Sequence, residues 1–250
     1  MLPPNLDQRL AARERPPGRP VMKQRWSRLL FLHWRADPDL LRPLLPRGLH
    51  LDLHEGTAWI GVVPFFMERI RPTYLPAVPW LSWFLELNVR IYVHDEEGTP
   101  GVWFLSLDCN QPVAVTLARN LFFLPYHHAR MHSGGTIAAT TYHCRRDGEE
   151  GDAVFHYGPK GDLAIAEPGS EQFFLLERYV LFSGDRHDQL FSGRVHHAPY
   201  RWAPATCEKW SSLPIKWNGL IEPNAIPESM LWADQVDVDV FPIRRLGTPI

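Results

Sequence analysis

Lysine and cysteine are scarce in this sequence. Only four lysines and three cysteines occur among 250 residues, and no two cysteines form a CxxC pair. They are Lys23, Lys160, Lys209 and Lys216, and Cys109, Cys144 and Cys207. An odd, widely spaced set of cysteines argues against a disulfide framework and against a cysteine-based zinc site. We therefore expect a reduced, cytoplasmic protein.

The chain also lacks a strong excess of charge and a long hydrophobic run. Its formal net charge is −2, from 26 basic and 28 acidic residues, so we expect neither nucleic acid nor a membrane surface as a partner. No apolar stretch approaches the roughly 18 residues that a membrane-spanning helix needs. Residues 1–20 are rich in arginine and proline without an apolar secretory segment, and they predict a flexible N-terminal arm.

Aromatic and β-forming residues are plentiful. The chain has 10 Trp and 45% hydrophobic residues, which excludes a mostly disordered protein. Turn signals separate roughly ten strand-like runs, and two or three short helices lie among them. This pattern predicts a single domain over residues 21–250. Its fold is an α+β, β-rich one, a closed or nearly closed, antiparallel-rich barrel with short flanking helices.

The 12 histidines do not have the spacing of a metal site. His196 and His197 are adjacent in a predicted strand, so their side chains point to opposite faces and cannot readily share an ion. The sequence has no HExxH motif and no glycine-rich loop that could bind phosphate. We therefore predict no metal and no cofactor.

The segment over residues 82–93, SWFLELNVRIYV, carries the main chemical signal. Period-two alternation places apolar side chains on one face and Glu86, Asn88 and Arg90 on the other. The polar face has two interpretations of equal weight. It lies in solvent, as in many antiparallel sheets, or it faces a polar interior that holds a ligand.

Several stretches resemble a known family. They are FLHWRADPDLLRPLLPRGLHLD at residues 31–52, ELNVRIYV at 86–93, LARNLFFLPY at 117–126 and GRVHHAPY at 193–200. Together they resemble the YqjF-like family, a group of unknown function within the acetoacetate-decarboxylase-like superfamily. The resemblance covers nearly the whole chain and implies the closed, strand-rich fold of that superfamily.

The resemblance also implies a site, with departures. Glu86 matches the acidic residue of the decarboxylase site, and Arg119 matches a helix arginine. The decarboxylase lysine that forms a Schiff base follows a proline, but here Tyr126 follows Pro125 and His127 comes next. Because tyrosine cannot form an imine, decarboxylation by the Schiff-base route is not expected.

Two further positions of the decarboxylase site have no clean match. Ser27 stands where the family has an N-terminal arginine, with Arg28 as its neighbour. Gly61 stands where the family has a second carboxylate. The candidate substrate-binding residues are Arg28, Asn88, Arg90, Arg119 and His127.

Three functions remain open from the sequence. The first is an enzyme acting on a small carbonyl or carboxylate compound, with Glu86 and Tyr126 as acid/base and oxyanion partners. The second is a non-catalytic barrel that binds an anionic or aromatic small molecule. The third and weakest is a scaffold, since aromatic-rich surfaces often mark interfaces, and a homo-oligomer is possible under any of them.

Overall fold

The computed structural model describes residues 3–247, without the side chains of Leu117, Ala118, Asn120 and Leu121. The strands in this part of the chain are β1 (Met22–Ser27), β2 (Leu29–Ala36), β3 (Leu49–Leu51), β4 (Ala58–Pro72), β5 (Phe84–Asp95), β6 (Pro100–Cys109), β7 (Tyr126–Gly135), β8 (Thr140–Arg146), β9 (Ala153–Pro159), β10 (Ala164–Ile165), β11 (Val180–Gly184), β12 (Leu190–His196), β13 (Arg201–Lys209), β14 (Ser229–Ala233), β15 (Val236–Val240) and β16 (Arg244–Arg245). The helices are α1 (Leu6–Ala11), α2 (Pro38–Leu41), α3 (Pro112–Phe122), α4 (Glu171–Leu176) and α5 (Leu213–Lys216), with a 3-10 turn at Arg42–Leu44.

Strands β4, β5 and β6 form a central antiparallel unit whose two outer edges each change partner halfway along. The first part of β4 pairs with β2 and the later part pairs with β1. Similarly, β6 pairs with β11 near its start and with β7 near its end. The expected β-rich α+β fold with a closed set of strands is confirmed.

This change of partners closes two circuits of paired strands that share β4, β5 and β6. The seven-strand circuit continues from β4 through β1, β15, β12 and β11 to β6. The nine-strand circuit continues from β4 through β2, β14, β13, β9, β8 and β7 to β6. The central unit therefore has a circuit against each of its faces.

Each face of β5 packs into a different apolar cluster. Leu87, Val89 and Ile91 pack with residues of the nine-strand circuit. Phe84, on the opposite face, packs with Val195 and other residues of the seven-strand circuit. All twelve residues of β5 are buried, so the interpretation that the polar face of this strand lies in solvent is wrong. A strand buried on both faces needs a second layer, and alternation along one strand does not reveal that layer.

Several N-terminal residues make specific contacts with the rest of the protein. Asn5 caps α1 by accepting a hydrogen bond from the backbone of Gln8. The Arg9 guanidinium donates two hydrogen bonds to the buried carboxylate of Asp52, at 2.6 and 2.7 Å. Arg194 donates to the carbonyl oxygen of Ala12 at 3.0 Å. This segment is thus held against the strands by specific contacts.

Arg28 lies between strands β1 and β2. Its φ of 51° lies in the left-handed region, which interrupts the extended backbone between β1 and β2. This corner in the chain at Arg28 lets β1 pair with the later part of β4 while β2 pairs with the earlier part. No described helix is long and apolar enough to cross a membrane.

Candidate functional site

Glu86 and Tyr126 meet inside the protein. The Tyr126 hydroxyl donates a hydrogen bond of 2.8 Å to Glu86 Oε2. Glu86 is buried, with 3% of its surface exposed, and among the described residues no cation forms an ion pair with it. Burial raises the pKa of Glu86 from 4.5 to about 7, against the opposing effect of the Tyr126 hydrogen bond. The Glu86 carboxyl can therefore both hold and release a proton near neutral pH.

The central strands fix the backbone of Glu86. It lies opposite Phe65 of β4 and opposite Cys109 of β6. The Tyr142 hydroxyl lies 2.8 Å from the carbonyl oxygen of Glu86 and 3.2 Å from that of Phe65. Strand β5 is hydrogen-bonded along both edges, and the backbone carbonyl oxygen of Glu86 also accepts a hydrogen bond from Tyr142. The backbone that carries the Glu86 carboxyl group is therefore held rigidly.

The end of α3 places Tyr126. The side chain of Gln111 caps the helix, which runs from Pro112 to Phe122 and is followed by Phe123 with a φ of 52°. The chain then enters β7 through Pro125, whose carbonyl oxygen accepts from Leu107 N at 3.0 Å. This contact places Tyr126 beside Leu107 in a parallel pair. Tyr126 is half-buried, so its hydroxyl reaches Glu86 while the rest of the residue stays near the surface.

Asn88 and Arg90 lie on the same face of β5 as Glu86. Arg90, 8% exposed, donates to the carbonyl oxygen of Leu175 at 3.0 Å and to the Tyr92 hydroxyl at 3.2 Å. No carboxylate of the described residues forms an ion pair with Arg90. Two buried atoms, Arg90 Nε and Asn88 Oδ1, have no hydrogen-bond partner among the described residues. The buried Arg90 guanidinium is thus hydrogen-bonded to two neutral groups, a hydroxyl and a backbone carbonyl.

A groove of about 1090 Å³ opens where the outer edge of β6 passes from β11 to β7. Tyr126, Arg119 and His127 line it, together with Ser183 of β11. Tyr126 is thus the candidate residue that both lines the groove and contacts Glu86. Glu86 itself is not among the residues that line the groove.

Two candidate residues that line the groove, Arg119 and His127, can make different contacts with a ligand. Arg119 is exposed and donates from Nε to the carbonyl oxygen of Tyr126 at 2.6 Å. Burial, together with the nearby Arg146 and Arg119 charges, lowers the pKa of His127 to about 4. His127 is therefore neutral at pH 7 and can accept a hydrogen bond, whereas Arg119 can attract an anion.

Arg28 does not join the other candidates. Its guanidinium lies over the ring of Phe66, 4.5 Å from the centroid, and Phe66 packs against the core of the nine-strand circuit. The neighbouring Ser27 donates to Glu68 at 2.6 Å. The expectation that Arg28 shares a binding site with Glu86 is not supported, because the left-handed corner turns it to a different core.

The four lysines also lie outside the site. Lys160, Lys209 and Lys216 are exposed, and Lys23 pairs with Asp239 at 3.0 Å. None of them lines the groove. An imine at the Tyr126 position therefore has no amine to form it.

The sequence did not point to two buried charge networks near these residues. Asp108 of β6 accepts from Nε and Nη2 of Arg146 at 2.6 and 2.9 Å. Asp52 accepts from Arg178 at 2.6 Å and also from Arg9. These partners are far apart in sequence, and nothing in the local pattern links them.

The histidines of the adjacent strands β7 and β8 meet without forming a cluster that could hold a metal. His132 and His143 stack, with ring centroids 4.1 Å apart. Among the described residues no group of three or more His, Cys, Asp or Glu could hold an ion.

Comparison with known proteins places the chain among relatives. A model of the DUF2071 family, described as "Uncharacterized conserved protein", matches residues 23–237. The chain belongs to the DUF2071 family. One family member, the uncharacterized protein YqjF of Bacillus subtilis (strain 168), is 36% identical over 232 residues, which are 92% of this chain and 94% of YqjF. The resemblance read from the sequence is confirmed.

Solved structures share the fold of this DUF2071 member at low identity. The enduracididine biosynthesis enzyme MppR, solved with pyruvate, matches with a TM-score of 0.63 and 15% identity, over 94% of this chain and 93% of MppR. Acetoacetate decarboxylase from Legionella pneumophila matches with a TM-score of 0.62 and 13% identity, over 93% and 92% of the two chains. At these identities the likeness shows the acetoacetate-decarboxylase-like fold alone.

Proposed function

We propose that this protein is an enzyme that transfers a proton to or from a small carbonyl or carboxylate compound, without a covalent imine. The observation that carries the proposal is the buried pair of Glu86 and Tyr126, whose hydroxyl and carboxylate lie 2.8 Å apart. A carboxyl whose pKa is near 7 can act as an acid or a base at physiological pH. Enolisation and hydration or dehydration are the reactions that this pair suits.

In enolisation the two residues have complementary roles. The ionised Glu86 takes a proton from the carbon next to the carbonyl group. The Tyr126 hydroxyl turns from Glu86 to the substrate oxygen and donates a hydrogen bond as negative charge develops there. Glu86 then returns its proton to carbon or passes it to another atom of the substrate.

The groove supports access of a small anion. Arg119, Tyr126 and His127 line it, and the Tyr126 hydroxyl contacts the Glu86 carboxyl. One of the fold relatives was solved with pyruvate, a small keto acid, which agrees with a compound of this class as substrate. The scarcity of lysine supports a mechanism that does not use an imine.

The alternative is a binding protein without catalysis. It is favoured by the fact that Tyr126 and Glu86 are already hydrogen-bonded to each other in the structure. It predicts that a ligand binds and is not changed, and that Glu86→Gln leaves its affinity intact.

The test begins with a thermal-shift screen of small keto, hydroxy and aromatic acids on the wild type. A compound that binds the folded protein raises its melting temperature. Each binding compound is then incubated with the protein in D₂O, and NMR follows its conversion and the exchange of its carbon-bound protons. We expect exchange or turnover with the wild type and its loss in Glu86→Gln. Binding without exchange or turnover in either protein would establish the binding protein instead.

A further inference from the structure

A cavity of about 550 Å³, here called the N-terminal cavity, lies between the N-terminal residues and the sheet. Its walls come from the segment over residues 8–19, the turn between β5 and β6, strands β11 and β12, and the residues that follow β15. None of the described residues lines both this cavity and the groove. Sites for small molecules usually have volumes of about 300–1000 Å³, so the N-terminal cavity is large enough for a ligand.

The segment over residues 8–19 is held in place as one wall of the N-terminal cavity. Gln8 donates from Nε2 to the carbonyl oxygen of Glu97 at 3.1 Å, which joins the segment to the turn between β5 and β6. Arg194 of β12 donates from Nη2 to the carbonyl oxygens of Ala12 and Glu14 at 3.0 and 3.1 Å. The cavity is therefore built by contacts between parts of the chain that are distant in sequence.

Positive charge predominates in the N-terminal cavity. Its charged lining residues are four arginines and two carboxylates, namely Arg19, Arg194, Arg244, Arg245, Asp95 and Glu97. Asp95 is buried, and its Oδ1 accepts from the backbone amides of Glu97 and Thr99 within the turn. Within the described part of the chain, neither carboxylate forms an ion pair with an arginine of the cavity. The lining thus has an excess of positive charge that its own carboxylates do not neutralise.

The strand register places two of these arginines side by side. Arg244 of β16 pairs with Ser192 of β12, and Arg194 follows two residues later on β12, so both arginines lie on the same face of the sheet. Val180 of β11 pairs with Arg194, and all four residues line the N-terminal cavity. Burial and the nearby Arg244 charge lower the pKa of Arg194. The two guanidinium groups therefore lie close enough to repel each other.

No counter-charge pairs with either of these two guanidinium groups in the described part of the chain. The hydrogen bonds of Arg194 go to backbone carbonyls, and its buried Nε has no partner there. The side chain of Arg244 is exposed and forms no hydrogen bond or ion pair with a described residue. By contrast, Arg9 pairs with Asp52 at 2.6 Å. Arg194 and Arg244 thus remain available to bind an anion.

Two adjacent guanidinium groups suit a phosphate better than a single carboxylate. A guanidinium group binds oxyanions through pairs of N–H donors, and a phosphate monoester presents three terminal oxygens with a charge of about −1.5 to −2 at pH 7. It can therefore accept from both arginines and offset both charges, whereas a monocarboxylate offsets one. The cavity wall also includes apolar side chains that can contact an organic group, among them Val180, Phe241 and Leu246.

We propose that the N-terminal cavity binds a small phosphate monoester, whose phosphate group is held by Arg194 and Arg244. The organic part of the ligand packs beside Val180 and Phe241. This site goes beyond the proposed function, because neither Glu86 nor Tyr126 lines the cavity. Its test therefore does not depend on turnover.

The experiment measures binding by calorimetry at pH 7.5 and constant ionic strength. The probes are glycerol 3-phosphate, inorganic phosphate and succinate, which is a dianion without phosphorus. The variants Arg244→Gln and Arg194→Gln change the proposed site, and Arg244→Gln is the decisive one because its side chain makes no hydrogen bond that the fold would lose. Arg145→Gln is the matched control, since Arg145 is exposed on β8 and lines neither the cavity nor the groove. Arg119→Gln changes an arginine of the groove, and thermal melting confirms that each variant is folded.

We expect the wild type to bind glycerol 3-phosphate more tightly than either inorganic phosphate or succinate. Arg244→Gln and Arg194→Gln should each weaken the binding of glycerol 3-phosphate by about tenfold or more, the effect of one charge-assisted hydrogen bond. Arg145→Gln and Arg119→Gln should bind it as the wild type does.

Four results would contradict the proposal. Unchanged affinity in folded Arg244→Gln, or a wild type that does not bind glycerol 3-phosphate, would overturn it. Loss of binding in Arg119→Gln alone would place the phosphate in the groove and overturn it as well. Equal affinity for succinate would refute the selection of phosphate, and equal affinity for inorganic phosphate would refute the contact with an organic group.

Discussion

Glu86 and Asp108 are buried carboxyls on neighbouring strands with different partners. Asp108 faces the guanidinium of Arg146 through two hydrogen bonds, whereas Glu86 accepts from the neutral hydroxyl of Tyr126. Burial raises the pKa of both carboxyls, and Arg146 opposes this rise at Asp108. An ion pair keeps a carboxylate charged and fixed, while a neutral partner leaves the proton available. On this comparison we propose that Asp108 serves stability and that Glu86 serves the chemistry of the proposed function.

The largest expected effect is on turnover. Glu86→Gln keeps the size of the side chain and removes the proton acceptor, so we expect turnover of a compound found in the screen to fall by about 10²–10⁴-fold. Proton exchange followed by NMR measures it. Glu208→Gln, an exposed glutamate on β13, is the control and should keep full activity. Equal activity in the Glu86 and Glu208 variants would contradict a catalytic role of Glu86.

Asp108→Asn should have the opposite profile, with a large loss of stability. The change leaves the guanidinium of Arg146 buried without its counter-charge, and we expect the free energy of unfolding to fall by about 3–5 kcal/mol. Asp39→Asn breaks an exposed ion pair with Arg42 and should cost less than about 1 kcal/mol. Urea denaturation measures both changes. A loss at Asp108 no larger than that at Asp39 would remove the distinction between the two carboxyls.

The pH dependence of stability sharpens the comparison. Between pH 4.5 and about 7 the folded protein retains the Glu86 proton that the unfolded chain releases. The contribution of Glu86 therefore favours folding at low pH and is lost as the pH rises through 7. Relative to Glu86→Gln, the wild type should lose about 3 kcal/mol of unfolding free energy between pH 4.5 and pH 8. A constant difference across this range would mean that the Glu86 pKa is not raised.

Among the changes to the Glu86 and Asp108 sites, Tyr126→Phe should have the smallest effect on stability, about 1 kcal/mol, because it removes one hydrogen bond. In the wild type the Tyr126 hydroxyl lowers the Glu86 pKa, against the effect of burial. Glu86 should therefore titrate at a higher pH in the variant than in the wild type. Stability profiles of the two proteins against pH measure this shift. A lower midpoint in the variant would show that Tyr126 does not donate to the ionised Glu86.

Part of this site could be predicted from the sequence. Alternation along β5 correctly placed Glu86, Asn88 and Arg90 on one face, and the resemblance indicated Tyr126 as a site position. Alternation is a local property, however, and it cannot show that a second circuit of strands covers the polar face. The burial of this face raises the pKa of Glu86, and only the three-dimensional structure shows it.

Other features depend on contacts that are distant in sequence. The ring of His197 contacts Tyr179, Tyr200 and Trp26, whereas the sequence shows only a histidine pair in a strand. The corner at Arg28 depends on a left-handed backbone conformation that a non-glycine residue rarely adopts. The sequence alone therefore could not show that Arg28 packs over the ring of Phe66.

The central claim is that the Glu86 carboxyl can exchange a proton near neutral pH. The most direct measurement is an NMR titration of the glutamate side-chain carboxyl carbons in the ¹³C-labelled wild type, with Glu86→Gln to assign the Glu86 signal. We predict one glutamate signal with a midpoint at a pH of about 7, absent from the variant. If the signal that disappears in Glu86→Gln instead titrates near 4.5, the usual value for glutamate, the account is wrong.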